Sequence, residues 1–103
     1  MRWLHLRLRR EPPPPDPFEV LRVQMRLAVL AEEVRALERS EDVYARMHHM
    51  RATEAAYDAM LMRACHLAGV PNSQPTDVPA TVPQSPDDRF RAEVELAARG
   101  WSW

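Results

Sequence analysis

Apolar residues recur along one stripe between residues 20 and 37, at intervals of three and four that keep side chains on one side of an α-helix. The members of this stripe are Val20, Val23, Leu27, Leu30, Val34 and Leu37. Leu21 and Met25 widen it, and residues 27–31 are apolar on every side. A helix that is apolar on several faces needs cover on several faces, so the pattern predicts a helix bundle.

A second apolar stripe begins at residue 43. Its members are Val43, Met47, Met50, Tyr57, Leu61, Ala64 and Ala68. The first stripe does not continue into it, because its next positions fall on mostly polar residues such as Glu41 and Arg51. A phase break near Ser40, followed by two acids, is typical of a tight turn and a new helix start. We therefore predict a helical hairpin over about 17–39 and 41–69, with one kinked rod as the alternative.

Local signals mark the ends of the predicted hairpin. Asp16 is a favourable N-cap, and Pro17 suits the first helical position. No glycine or proline follows until Gly69 and Pro71, which together form a strong stop signal. The hairpin is therefore expected between residues 17 and 70.

A short C-terminal helix is predicted after a proline-rich linker. Residues 71–85 combine prolines with polar residues, a composition typical of extended or disordered chain. Ser85 is then suited to an N-cap, Pro86 to the first helical position and Gly100 to a stop. An apolar row runs along this helix and beyond its end: Phe90, Val94, Ala97, Trp101 and Trp103.

The C-terminal helix needs a docking surface, because so short a helix is mostly unfolded alone in water. It can fold back on the hairpin as a third helix, or bind another protein as a helix-in-groove anchor. Folding back is the preferred expectation, since residues 27–31 need cover on more than one side.

These elements define an all-α fold, a long helical hairpin with a short C-terminal helix, which we expect to assemble into an oligomeric bundle. The segments are 1–16, a basic arm with a polyproline spacer; 17–70, the hairpin; 71–85, the linker; and 86–103, the C-terminal helix with its aromatic end. A chain of 103 residues builds only a small core, so its stability gains from a partner.

Residues 47–66 concentrate histidine, methionine and the only cysteine, which raises the question of a metal site. Di-iron bundles use Glu-x-x-His pairs, but no carboxylate stands three residues before any histidine here. Met62, Cys65 and His66 share one helical turn and are soft enough for cuprous copper. Apolar neighbours in the same turn indicate instead that this turn packs between the helices of the bundle. We predict no metal site and no cofactor.

Catalysis by the cysteine is also disfavoured. Cys65 and His66 are adjacent, so on a helix they point about 100° apart and cannot form a dyad directly. All fourteen basic residues are arginine, which excludes Schiff-base and phosphate-loop lysines. The only glycines, Gly69 and Gly100, cannot build a glycine-rich phosphate loop. We predict no catalytic residue.

The location is expected to be cytoplasmic. One cysteine cannot make an internal disulfide, and no apolar stretch of signal length follows the basic N-terminus. The longest apolar run, residues 27–31, is too short to span a bilayer.

The first ten residues carry four arginines and no acid; the arginines are Arg2, Arg7, Arg9 and Arg10. Residues 2–10 alternate with the period of a strand. A short basic strand before two helices resembles the ribbon-helix-helix repressors, whose paired strands enter the major groove. A polyproline spacer separates strand from helix here, unlike in that family. The resemblance implies an alternative function, a small nucleic-acid-binding regulator that uses these arginines.

The preferred function is non-enzymatic assembly or interaction, through a homodimer or higher oligomer. The expected interface comprises the whole first stripe together with Met47, Met50, Tyr57 and Leu61. The apolar row of the C-terminal helix is the expected docking surface.

Overall fold

The structure, a computed structural model, describes residues 15–71 and 84–103. Within these residues the chain forms three α-helices and no strand: α1 (Pro17–Glu38), α2 (Val43–Leu67) and α3 (Pro86–Ala98). The predicted all-α class is therefore confirmed for the described part of the chain. The basic arm and most of the proline-rich linker lie outside the described residues.

The start of α1 follows the predicted capping signal. The Asp16 carboxylate accepts a hydrogen bond from the backbone N–H of Phe18 at 2.9 Å. Pro17 takes the first helical position, where a backbone N–H would have no acceptor within the helix, so proline loses no hydrogen bond there. α3 begins in the same way, with Ser85 as its N-cap and Pro86 as its first residue. Both helix starts are thus determined by local chemistry.

A tight turn joins α1 to α2 and makes the hairpin. Asp42 caps α2 by accepting a hydrogen bond from the N–H of Ala45 at 3.1 Å. The two helices then pack against each other, which confirms the hairpin and excludes the single rod. Glu19, near the start of α1, forms an ion pair with Arg63, near the end of α2, as an antiparallel arrangement requires.

The predicted glycine stops are present at the ends of α2 and α3. Gly69 has φ +75° and Gly100 has φ +85°, the left-handed conformation that glycine adopts without steric strain. After Gly100, the N–H of Trp101 bonds back to the carbonyl of Leu96 at 3.0 Å. The chain therefore leaves the axis of α3 before the two terminal tryptophans.

α3 folds back onto the hairpin and packs against α2. Arg89, near the start of α3, contacts Asp58, whereas Arg99, beyond its end, lies close enough to Cys65 to influence the thiol electrostatically. Cys65 lies further along α2 than Asp58, as Arg99 lies further along the chain than Arg89. The two helices therefore run in the same direction.

The core lies among the three helices. Its buried members are Val23, Leu27, Leu30, Tyr57, Leu61, Ala64, Cys65 and Leu96, with Trp101 and Trp103 partly buried against them. Cover for residues 27–31 is incomplete, because Val29 stays half-exposed on the far side of α1. The bundle predicted from the sequence forms within one chain, and one face of α1 remains open.

The face of α3 that contacts α2 differs from the predicted apolar row. Phe90 is 67 % exposed and Val94 is 49 % exposed, whereas Leu96 is fully buried. Ala97 is also exposed. Two features explain the difference: Arg89 turns toward Asp58 and determines the rotation of the helix, and Trp101 lies beyond Gly100, so it does not continue the row.

Fluorescence of the terminal tryptophans tests this packing. With Trp3 replaced by phenylalanine, only Trp101 and Trp103 emit, and both are partly buried against the core. We expect emission that is blue-shifted relative to the same protein in urea, and partly protected from iodide quenching, because both indoles lie against apolar side chains. Emission and quenching equal to those of the urea-unfolded protein would show that α3 and its tail do not dock.

Candidate interaction surfaces

A buried ion pair joins α3 to α2. Asp58 is 1 % exposed, and its carboxylate accepts three hydrogen bonds. Arg89 donates from Nε to Oδ1 at 2.7 Å and from Nη2 to Oδ2 at 3.1 Å. The backbone N–H of Gln84 donates to Oδ2 at 2.6 Å. This bidentate arrangement satisfies a carboxylate that would otherwise be costly to bury.

Arg89 also links two turns of α2. Its Nη2 lies 3.2 Å from Glu54 Oε2, one helical turn before Asp58. The hydrogen bond with Asp58 is the main reason that the pKa of Arg89 is raised, and the charges of Asp58 and Glu54 add to it. The guanidinium therefore remains charged and fixes the start of α3 against the middle of α2.

A second polar contact lies one turn further along α3. The hydroxyl of Tyr57 donates to Glu93 Oε2 at 2.7 Å, and Trp103 Nε1 donates to the same hydroxyl at 3.1 Å. Burial, followed by the bond to Glu93, raises the pKa of Tyr57. The phenol therefore stays protonated and connects α2, α3 and the tail.

An open cleft borders this polar cluster on the side of α1. Its volume is about 360 Å³, and its lining combines Ala31, Val34, Arg35, Glu38, Glu54, Tyr57, Arg89 and Glu93. Most of the charged groups at the α2–α3 side of the cleft already bind one another. Among the described residues, every buried side-chain nitrogen and oxygen has a hydrogen-bond partner.

The histidine- and methionine-rich segment of α2 does not converge on a site. Cys65 is buried, and burial raises the pKa of its thiol. His66 is exposed, and His48 and His49 are exposed with their ring centroids 5.7 Å apart. Within residues 15–71 and 84–103, no group of three or more histidine, cysteine or acidic residues is placed to hold a metal ion.

The predicted interface residues separate into two groups. Val23, Leu27, Leu30, Tyr57 and Leu61 are buried within a single chain. Val20, Val34, Leu37 and Met50 are partly covered, and Met47 is 65 % exposed. The first group already fills the chain's own core, so contact with a second molecule through an intact bundle has to use more exposed side chains.

A row of exposed apolar side chains follows the outer face of α1. It consists of Phe18, Leu21, Met25 and Val29. Phe18 is 71 % exposed and Met25 is 60 % exposed. At 100° per residue, these positions lie on the opposite side of α1 from Val23 and Leu27. We call these four residues the α1 outer row.

Sequence reasoning missed the polar cluster around Asp58. One signal was present: Glu54 interrupts the second apolar stripe, and Asp58 lies one turn further on the same side of the helix. Two acids on an apolar face indicate a buried basic partner. The sequence does not say which of fourteen arginines that partner is.

Comparison of the chain with protein-family models, with curated proteins and with solved structures finds no match in any of the three. None of the described helices has the length and hydropathy needed to cross a membrane. Arg2, Arg7, Arg9 and Arg10, which carry the nucleic-acid alternative, lie outside the described residues.

Proposed function

We propose that this chain is a non-enzymatic assembly protein that acts through helix–helix contacts and forms a homodimer or higher oligomer. The observation that carries the proposal is the α1 outer row. The chain already has its own core, yet this row leaves four large apolar side chains in water on one helix face. Apolar patches of this kind on small proteins are typical of interaction sites.

The polar cluster supports a structural role for the ionisable groups. Asp58, Arg89, Tyr57 and Glu93 each bind a partner on the other helix, so their bonding capacity is used to hold α3 on α2. A catalytic group needs a free donor or acceptor directed at a substrate. The cleft beside the cluster presents few such groups.

α3 provides a second surface for the proposed function. Its packing on α2 leaves Phe90, Val94 and Ala97 facing outward. A groove on another protein would bind this row as it binds other amphipathic helices, through anchors at intervals of three and four residues. In this proposal α3 is both part of the bundle and a docking helix.

The mass of the 103-residue chain in solution tests the proposal. We expect light scattering to give a mass that rises above the monomer value of 11.9 kDa as concentration increases through the micromolar range. The double variant Phe90→Ser with Val94→Ser is measured beside the wild type to test whether the exposed row of α3 contributes to assembly. Both residues are exposed, so their replacement leaves the core intact. A monomer mass at every concentration would contradict assembly.

A further inference from the structure

The α1 outer row has a charged border on one side. Arg22 and Arg26 are exposed along this border, and exposed Glu33 lies further along the same side of the helix. Each successive residue rotates by 100°, which places these three within a narrow arc beside Met25 and Val29. The row is therefore apolar in its centre, basic at one end of its border and acidic at the other.

These border charges have no ion-pair partner within residues 15–71 and 84–103. Arg22 and Arg26 are also four residues apart, a spacing at which like charges repel on a helix surface. By contrast, Glu32, which lies in line with the row about one turn beyond Val29, is held by Arg35 at 3.1 Å and Arg39 at 3.4 Å. The acid in line with the row is thus paired within α1, whereas the charges on the border are not.

We infer that the α1 outer row binds the same row of a second copy of this chain, with the two α1 helices antiparallel. In an antiparallel pair related by a two-fold axis, each border faces its own counterpart, running in the opposite direction. The basic end of one border then meets the acidic end of the other. The inference rests on the proposed function and names its partner and geometry.

The spacing along the helix fits one register. With the two-fold axis at the level of Leu27, Met25 lies beside Val29 of the partner subunit, and Phe18 lies beside Ala36 of the partner subunit. Arg22 then lies one residue from the level of Glu33 of the partner subunit, with Arg26 about one turn further along. A parallel pair would place this border against the opposite one, which carries Gln24, Ala28 and Arg35 and offers Arg22 and Arg26 no acid of α1.

The rest of the chain leaves room for this contact. α3 packs against α2, and the tail reaches α1 at Gln24, through a hydrogen bond from the N–H of Ser102 at 3.2 Å. Gln24 projects to a different side of α1 from Met25 and Val29. The α1 outer row is thus not covered by α3 or by the tail.

Charge reversal on the border tests the geometry. One variant carries Arg22→Glu with Arg26→Glu, and a second carries Glu33→Arg. Each alone places like charges opposite each other, so we expect its dimer dissociation constant to rise about tenfold or more. Mixed in equal amounts, the two variants become complementary on both ends of the border, so a heterodimer should form with close to wild-type affinity.

A matched control separates the effect of this contact on association from the effect of the change in net charge. Arg51→Glu with Arg91→Glu makes the same charge change on exposed positions of α2 and α3, and should associate as the wild type does. Sedimentation is measured at physiological ionic strength, where distant charges are screened. Association of the wild type with no effect of the border variants would overturn the antiparallel geometry and leave assembly standing. A wild type that stays monomeric would instead overturn the proposed function.

Discussion

Leu30→Asp is expected to unfold the protein. Leu30 is 2 % exposed and lies in the core between α1 and α2. The substitution removes a buried leucine side chain, which typically costs about 2–5 kcal/mol of stability. It also places a carboxylate among apolar groups, where an unpaired charge costs several kcal/mol more. A domain of this size has a free energy of unfolding of about 5 kcal/mol, near the low end of the usual range. The expected loss therefore exceeds the stability of the whole fold.

The neighbouring position supplies the control. Val29→Asp makes the same chemical change one residue earlier, on the half-exposed outer face of α1. Circular dichroism should show loss of helicity for Leu30→Asp and near-native helicity for Val29→Asp. If Leu30→Asp kept its helicity and a cooperative thermal transition, the apolar stripe of α1 would not be the core.

Asp58→Ala is expected to cost about 3–5 kcal/mol, the usual effect of removing one partner from a buried ion pair. The loss is large because the change leaves the guanidinium of Arg89, which is one-fifth exposed, without its bidentate partner. The N–H of Gln84 also loses its acceptor. Urea denaturation measures the free energy of unfolding, and the labelling rate of the Cys65 thiol reports whether α3 still covers that part of α2.

Two further variants test whether the loss of stability in Asp58→Ala comes from breaking the ion pair with Arg89. Arg91→Ala removes an exposed arginine of α3, whose nearest acid is 3.8 Å away, and should change stability by less than about 1 kcal/mol. Asp58→Leu combined with Arg89→Met removes both charges, and should be much less destabilising than either single change. A stability for Asp58→Ala equal to that of Arg91→Ala would show that the buried pair does not hold α3.

Helix ends were largely predictable because their determinants are local. Asp16 and Pro17 start α1, Ser85 and Pro86 start α3, and glycine ends α2 and α3. Each signal acts within a few residues of the helix end, through one side-chain hydrogen bond or one permitted backbone angle. The turn between the long helices was predictable for the same reason, since Asp42 caps α2 directly after the break in the apolar stripe.

The faces that become buried were less predictable, because α1 and α3 each have two apolar faces. Periodicity identified the row of Phe90 and Val94 on α3, whereas the contact with α2 is made by Leu96. On α1, Leu21 and Met25 widen the apolar stripe but remain in water. Hydrophobicity alone favours burial of any of these side chains, so it does not choose among them.

By itself, the sequence determined the helices, their ends and the hairpin, because each depends on nearby residues. The tertiary structure decided how α3 is rotated and which face of α1 stays open. The deciding contact joins Asp58 to Arg89, residues that are 31 positions apart and lie on different helices. A buried carboxylate needs a specific donor in a specific direction, and only the folded chain shows which of its arginines supplies that donor.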